Sequence, residues 1–123
     1  MLVVGGEYAS ASVAARVIDI VSGNAVPVKF GGLGPEVLKI QGGSYPCVVY
    51  DEHNDRFLVF DNTSPLMCYA VDPGSWNVSL LSTTNAPSAR PRGLHNSIQY
   101  VPELKGLVMA REYDEDVYFM RVG

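Results

Sequence analysis

Uninterrupted helix-forming stretches are what this sequence lacks most. Among its 123 residues are 12 glycines and 8 prolines, spread so that few windows of three helical turns escape one. Cysteine is scarce as well. Cys47 and Cys68 are the only two, with no C-x-x-C and no Cys/His spacing suited to zinc. A metal site is therefore not expected, and each thiol reads as a small buried hydrophobe. Basic residues number 9 against 13 acidic ones, giving a net charge of −4. With no basic face to meet phosphates, nucleic acid is not an expected partner. No apolar run is long enough for a membrane span, so no membrane association is expected. MLVVGGEY at the N-terminus has no basic n-region, so it does not read as a signal peptide, and the expected location is the cytoplasm.

What is present is strand punctuation. Hydrophobic residues make up 47% and charged ones 18%, which places the chain among globular proteins of one domain rather than disordered ones. The apolar runs are short, rich in Val, Ile, Phe and Tyr, and bounded by Gly, Pro, Asn and Asp clusters. They predict an all-β fold with strands near 1–5, 16–21, 25–30, 46–51, 56–61, 66–72, 76–81, 97–101, 106–111 and 116–122, and a weaker one at 36–40. The helical rival is ASASVAARVI (9–18), whose alanines favour a turn or so.

DEHND (51–55), VPELK (101–105) and DPGSW (72–76) are short polar joins between apolar runs, and each predicts a hairpin. Consecutive hairpins make a four-stranded antiparallel meander over 46–81. VVYDEHNDRFLVF (48–60) has the layout of IQYVPELKGLVMA (98–110), with Tyr50 answering to Tyr100 and Phe57 to Leu107. A meander recurring at a period of roughly fifty residues predicts β-propeller blades. The expected divisions are a partial blade at 1–30, a linker at 31–45, a complete blade at 46–81, a linker at 82–96 and a partial blade at 97–123. In the first copy, Ile20-Val21-Ser22-Gly23 aligns on Val71-Asp72-Pro73-Gly74.

VVGG (3–6) and YAVDPGSWNVSLL (69–81) resemble the kelch and galactose-oxidase-like propellers, whose blades carry a strand ending in Gly-Gly, then a strand leading to an Asp-Pro turn, then a Trp. The two signatures lie in different copies: Phe60-Asp61 and Ala110-Arg111 stand where the other two would have the Gly pair. The resemblance implies a partial set of blades, about two and a half. Related propellers include enzymes acting on glycans, so a site of that kind assembled between chains is the alternative reading of function. Copper chemistry of the galactose-oxidase kind would need two His near one metal, and His53 and His95 are expected on opposite faces. No cofactor is expected.

Propellers close with typically four to eight blades, so this set needs partners. Self-association into a dimer or trimer is expected, with a fragment of a longer propeller and a small β-sandwich as alternatives. Cys47 and Cys68, on the first and third strands of one meander, are too far apart to bridge and are expected as free thiols.

Chemistry is expected where the inter-blade connections meet the two-to-three loops: 6–15, 31–44, 61–66, 82–97 and 111–116. Within SARPRGLHN (88–96), Arg90, Arg92, His95 and Asn96 form the candidate site for a small-molecule or carbohydrate ligand; a solvated linker with salt bridges to the acidic loop is the plainer reading. REYDED (111–116) is acidic but lacks a calcium-loop spacing, and Asn62-Thr63-Ser64 reads as a chance glycosylation sequon. No catalytic motif is present, and a binding module is favoured over an enzyme.

Overall fold

In a computed structural model of the chain, residues 1–3, 15–38 and 46–123 are described. The strands are β1 (Leu2–Val3), β2 (Arg16–Ile18), β3 (Ala25–Val26), β4 (Gly31–Gly32), β5 (Cys47–Asp51), β6 (Arg56–Asp61), β7 (Met67–Val71), β8 (Asn77–Leu81), β9 (Ile98–Val101), β10 (Gly106–Met109) and β11 (Tyr118–Arg121). They form three sheets: a first of order β1-β2-β3, a central one of order β4-β8-β7-β6-β5, and a third of order β11-β10-β9. All pairings are antiparallel except β4 with β8.

The central sheet explains why its strands read as continuous apolar runs rather than alternating ones. Leu58, Val59 and Phe60 are consecutive and all buried, which requires both faces of the sheet to be covered. Leu58, Phe60 and Cys68 pack against Ile98, Leu107 and Met109 of the third sheet. Val59, Tyr69, Val71 and Val78 pack against Leu2, Ala15 and Val17 of the first. The chain is therefore three layers deep, and the two-layer sandwich does not describe it.

The repeat read from sequence recurs in the strand register. Tyr50 stands opposite Phe57 as Tyr100 stands opposite Leu107. Asp55 and Lys105, each the residue before the returning strand, are both left-handed, at φ 49° and 48°. Between Val101 and Lys105 the chain makes a 3-10 turn over Pro102–Leu104. The edge strands β5 and β9 of neighbouring sheets also meet, with the Cys47 thiol 3.7 Å from the Ile98 carbonyl, 51 residues away.

Three expectations are corrected. The strand at 36–40 is not formed over its described part: Gly34–Val37 is one helical turn, α1, with Pro35 in the first turn where a missing N–H costs nothing. Leu38 N–H closes that turn on the Gly34 carbonyl. Residues 39–40 lie outside the described residues, as do Gly5-Gly6 of the kelch-like strand and all of the 6–15 loop but Ala15.

The linker at 31–45 supplies a strand: β4 lies parallel to β8 and adds a fifth strand to the sheet of the central meander. Glycine permits this close approach. A Cβ on Gly31 would sit 2.1 Å from Asn77 Oδ1, and one on Gly32 would sit 2.4 Å from the Val78 carbonyl oxygen.

The alignment of the first copy is out of phase. The Val21 and Ser22 amides donate to the Asp19 carboxylate, as the Gly74 and Ser75 amides donate to that of Asp72. Asn24 N–H reaches Ser22 Oγ as Asn77 N–H reaches Ser75 Oγ. Ser22 thus matches Ser75 rather than Pro73. The strand β2 stops at Ile18 because Asp19 begins this turn.

Candidate functional site

Three of the loops expected to share a face are knitted together. The loop at 61–66, the long connection at 82–97 and the acidic segment at 111–116 meet through two arginines. Asn62 clamps the Arg90 backbone: its Oδ1 accepts from the Arg90 amide at 2.7 Å and its Nδ2 donates to the Arg90 carbonyl at 2.8 Å. The Arg90 guanidinium donates through Nε to the Arg111 carbonyl and through Nη1 to the Gly93 carbonyl, both at 2.9 Å. Arg111 answers from the other side, donating to the carbonyls of Ser88 (3.2 Å) and Ala89 (3.0 Å). Its remaining contact is an ion pair with Glu115 at 2.5 Å, which raises the Arg111 pKa and keeps it cationic.

Arg90 and Arg111 therefore staple the connection in place, Arg90 through main-chain oxygens alone and Arg111 through main-chain oxygens and Glu115. A fully buried Leu94 anchors the same segment in the core between the central and third sheets. The connection is thus tied to the core by Leu94 and to the acidic segment through main-chain oxygens.

Of the four sequence-predicted residues, Arg90 is part of the scaffold. His95 is exposed and held left-handed at φ 48°, and its Nε2 donates to the Arg92 carbonyl at 2.9 Å. The Arg92 and Asn96 side chains are exposed, and the Asn96 main-chain carbonyl accepts from Gln99 Nε2 at 3.0 Å. His95 and Asn96 line a groove of about 330 Å³ with Leu2, Val3, Pro46 and Val48. Its position follows from the topology: β1 is the edge of the first sheet, while Pro46 and Asn96 precede the first strands of the other two. A second cavity, of about 650 Å³, lies between the central and third sheets and reaches β11 and the 82–87 segment, with Phe60, Leu66 and Met109 in its lining.

The opposite end holds the hairpins. Asp51 is fully buried at the base of the 51–55 turn. It accepts from the Asn54 amide (3.3 Å), Asn54 Nδ2 (2.8 Å) and Arg56 Nε (2.8 Å). Burial alone would push its pKa up; the bonds from Asn54 and Arg56 together outweigh it and hold the carboxyl below the usual aspartate value. Asn54 Nδ2 also donates to the Val122 carbonyl at 2.9 Å, tying this hairpin to the third sheet. His53, beside Gly123, is at this end, away from His95.

Sequence reasoning missed Asn62, Arg111 and Asp51. Asn62 offered only its sequon. Arg111 was read for the Gly pair that it replaces, and Asp51 as one polar residue in a turn. Among the described residues no cluster of three or more His, Cys, Asp or Glu could hold a metal, and no helix is long and apolar enough to cross a membrane. Comparison with family models, with curated proteins and with solved structures returned no match.

Proposed function

We propose that the three sheets are successive blades of a propeller-type binding module, that copies of the chain associate to complete the ring, and that ligand is recognised where the inter-sheet connections converge. The observation that carries this reading is the shared register: equivalent residues of successive sheets stand opposite equivalent partners and face equivalent neighbours. The likeness of YAVDPGSWNVSLL to kelch blades supports it.

Recognition falls to His95, Asn96 and Arg92, with Arg90 holding their backbone. An imidazole and an amide above the apolar floor of Leu2, Pro46 and Val48 suit a small polar ligand with an apolar face, such as a sugar.

The test is the mass in solution by light scattering after size exclusion, followed by binding to a glycan panel. A discrete dimer or trimer whose glycan binding is lost in Asn96→Ala supports the reading. A cooperative monomer of 13.3 kDa overturns the shared ring, and a panel without binders overturns the sugar-binding assignment.

A further inference from the structure

We infer that two copies of this chain dock head to tail, the outer face of the first sheet of one copy against the outer face of the third sheet of the other. This rests on the self-association proposed above and specifies its surfaces. Packing inside the chain has one direction. Each internal interface pairs a forward face of the earlier sheet with a backward face of the later one.

Forward positions are fixed by register. In the first sheet they are Leu2 and Val17, which stand opposite each other. In the central sheet they are Leu58 with Ala70 and Val49 beside it. All of these pack on the following sheet. The same row of the third sheet is Val108, with Phe119 and Gln99 opposite it. Where Leu58 is fully buried, this row meets solvent: Phe119 is 51% exposed, and Val117, just before β11, is 61% exposed.

Backward positions follow in the same way. Val59 with Tyr69, and Val71 with Val78, stand opposite each other in the central sheet and pack on the preceding sheet. Their counterparts in the first sheet are Val3 with Arg16 and Ile18 with Ala25, of which Val3 is 40% exposed. Among the described residues, the third sheet (the tail side) thus presents a forward face and the first sheet (the head side) a backward face on which no other sheet packs. These are the two halves of an interface the chain builds twice internally, so a second copy brings the complement of each. Such a contact is heterologous and propagates until it closes.

Two single substitutions at exposed positions test this on the full chain: Phe119→Asp blocks the tail and Val3→Asp blocks the head. Val117→Asp serves as a second tail variant, and a cooperative melt is required of each. Wild type is expected to assemble, each variant alone to run as a monomer, and an equimolar mixture of Phe119→Asp with Val3→Asp to give a dimer and nothing larger. That dimer forms only if the free head of one variant meets the free tail of the other. A mixture that stays monomeric overturns head-to-tail docking, as does a Val3→Asp variant that still assembles like wild type. Wild type that is monomeric at every concentration overturns the self-association itself, a distinct result.

Discussion

Asp19 and Asp72 cap the same turn in two different sheets. Each carboxylate accepts amides from the residues two and three positions on, and each carbonyl accepts the N–H of a residue with positive φ: Gly23 at 74° and Trp76 at 59°. The second turn places a large side chain where the first has none. Trp76 is repaid by packing, its ring stacked on Phe57 at 6.2 Å and edge-on to Phe30 at 6.0 Å.

Gly23 isolates the backbone cost of that turn. A Cβ there would meet nothing within 4 Å, so Gly23→Ala changes strain without changing packing. It is expected to destabilise the fold by about 1 kcal/mol through the left-handed conformation alone. Urea unfolding is the measurement, with an unchanged m-value showing that the states compared are the same.

Asp51 ties acid stability to one hairpin. Its folded pKa lies below the ordinary value of 3.8, so the folded state favours the ionised carboxylate. The stability this contributes is complete above that value and is lost as pH falls through the lowered one. Asp51→Asn is expected to cost about 2–3 kcal/mol near neutral pH, because Arg56 and Asn54 lose their charged acceptor. Urea titrations should show the gap between wild type and Asp51→Asn closing as pH drops below 3.8; a gap independent of pH would contradict it.

The two thiols should be unreactive until the protein opens. Cys68 is buried between the central and third sheets, and that burial pushes its pKa up to about 12; burial raises that of Cys47 as well. Thiolate, the reactive form, is then nearly absent at pH 8. An aromatic disulfide reagent at that pH should label neither thiol in the native protein and both in urea, with a labelling rate that follows unfolding.

The strands were legible because both faces of the central sheet are covered, which turns RFLVF and MCYAV into unbroken apolar runs. The repeat was legible from Tyr50 and Tyr100 because equivalent strands keep equivalent register. The phase of the first copy was misread: the Ile20-Val21 and Pro73-Gly74 dipeptides occupy the same places in equivalent turns but share no chemistry, and the signal lay in Asp, Ser and Asn at the same spacing. β4 was invisible because a glycine pair pairing in parallel has no side-chain pattern to show. Arg90 looked like a ligand-binding residue since charge and loop position were all the sequence offered. Its acceptors are main-chain oxygens of Gly93 and of the distant Arg111, and carbonyls carry no residue type.

That difference separates positioning from recognition within one loop. Arg90→Ala leaves two main-chain acceptors without a donor and is expected to cost about 1–2 kcal/mol. Asn62→Ala, which removes both bonds to the Arg90 backbone, should cost a similar amount. Arg90→Lys should rescue little, since an ammonium lacks the planar fork that reaches two carbonyls at once. Arg92→Ala and Asn96→Ala, at exposed side chains, should stay within about 0.5 kcal/mol of wild type. Thermal and urea unfolding of the five variants decide the matter without any ligand. If Arg90→Ala were as stable as Arg92→Ala, its bonds to Arg111 and Gly93 would not be holding the loop, and Arg90 would return to the recognition face beside His95.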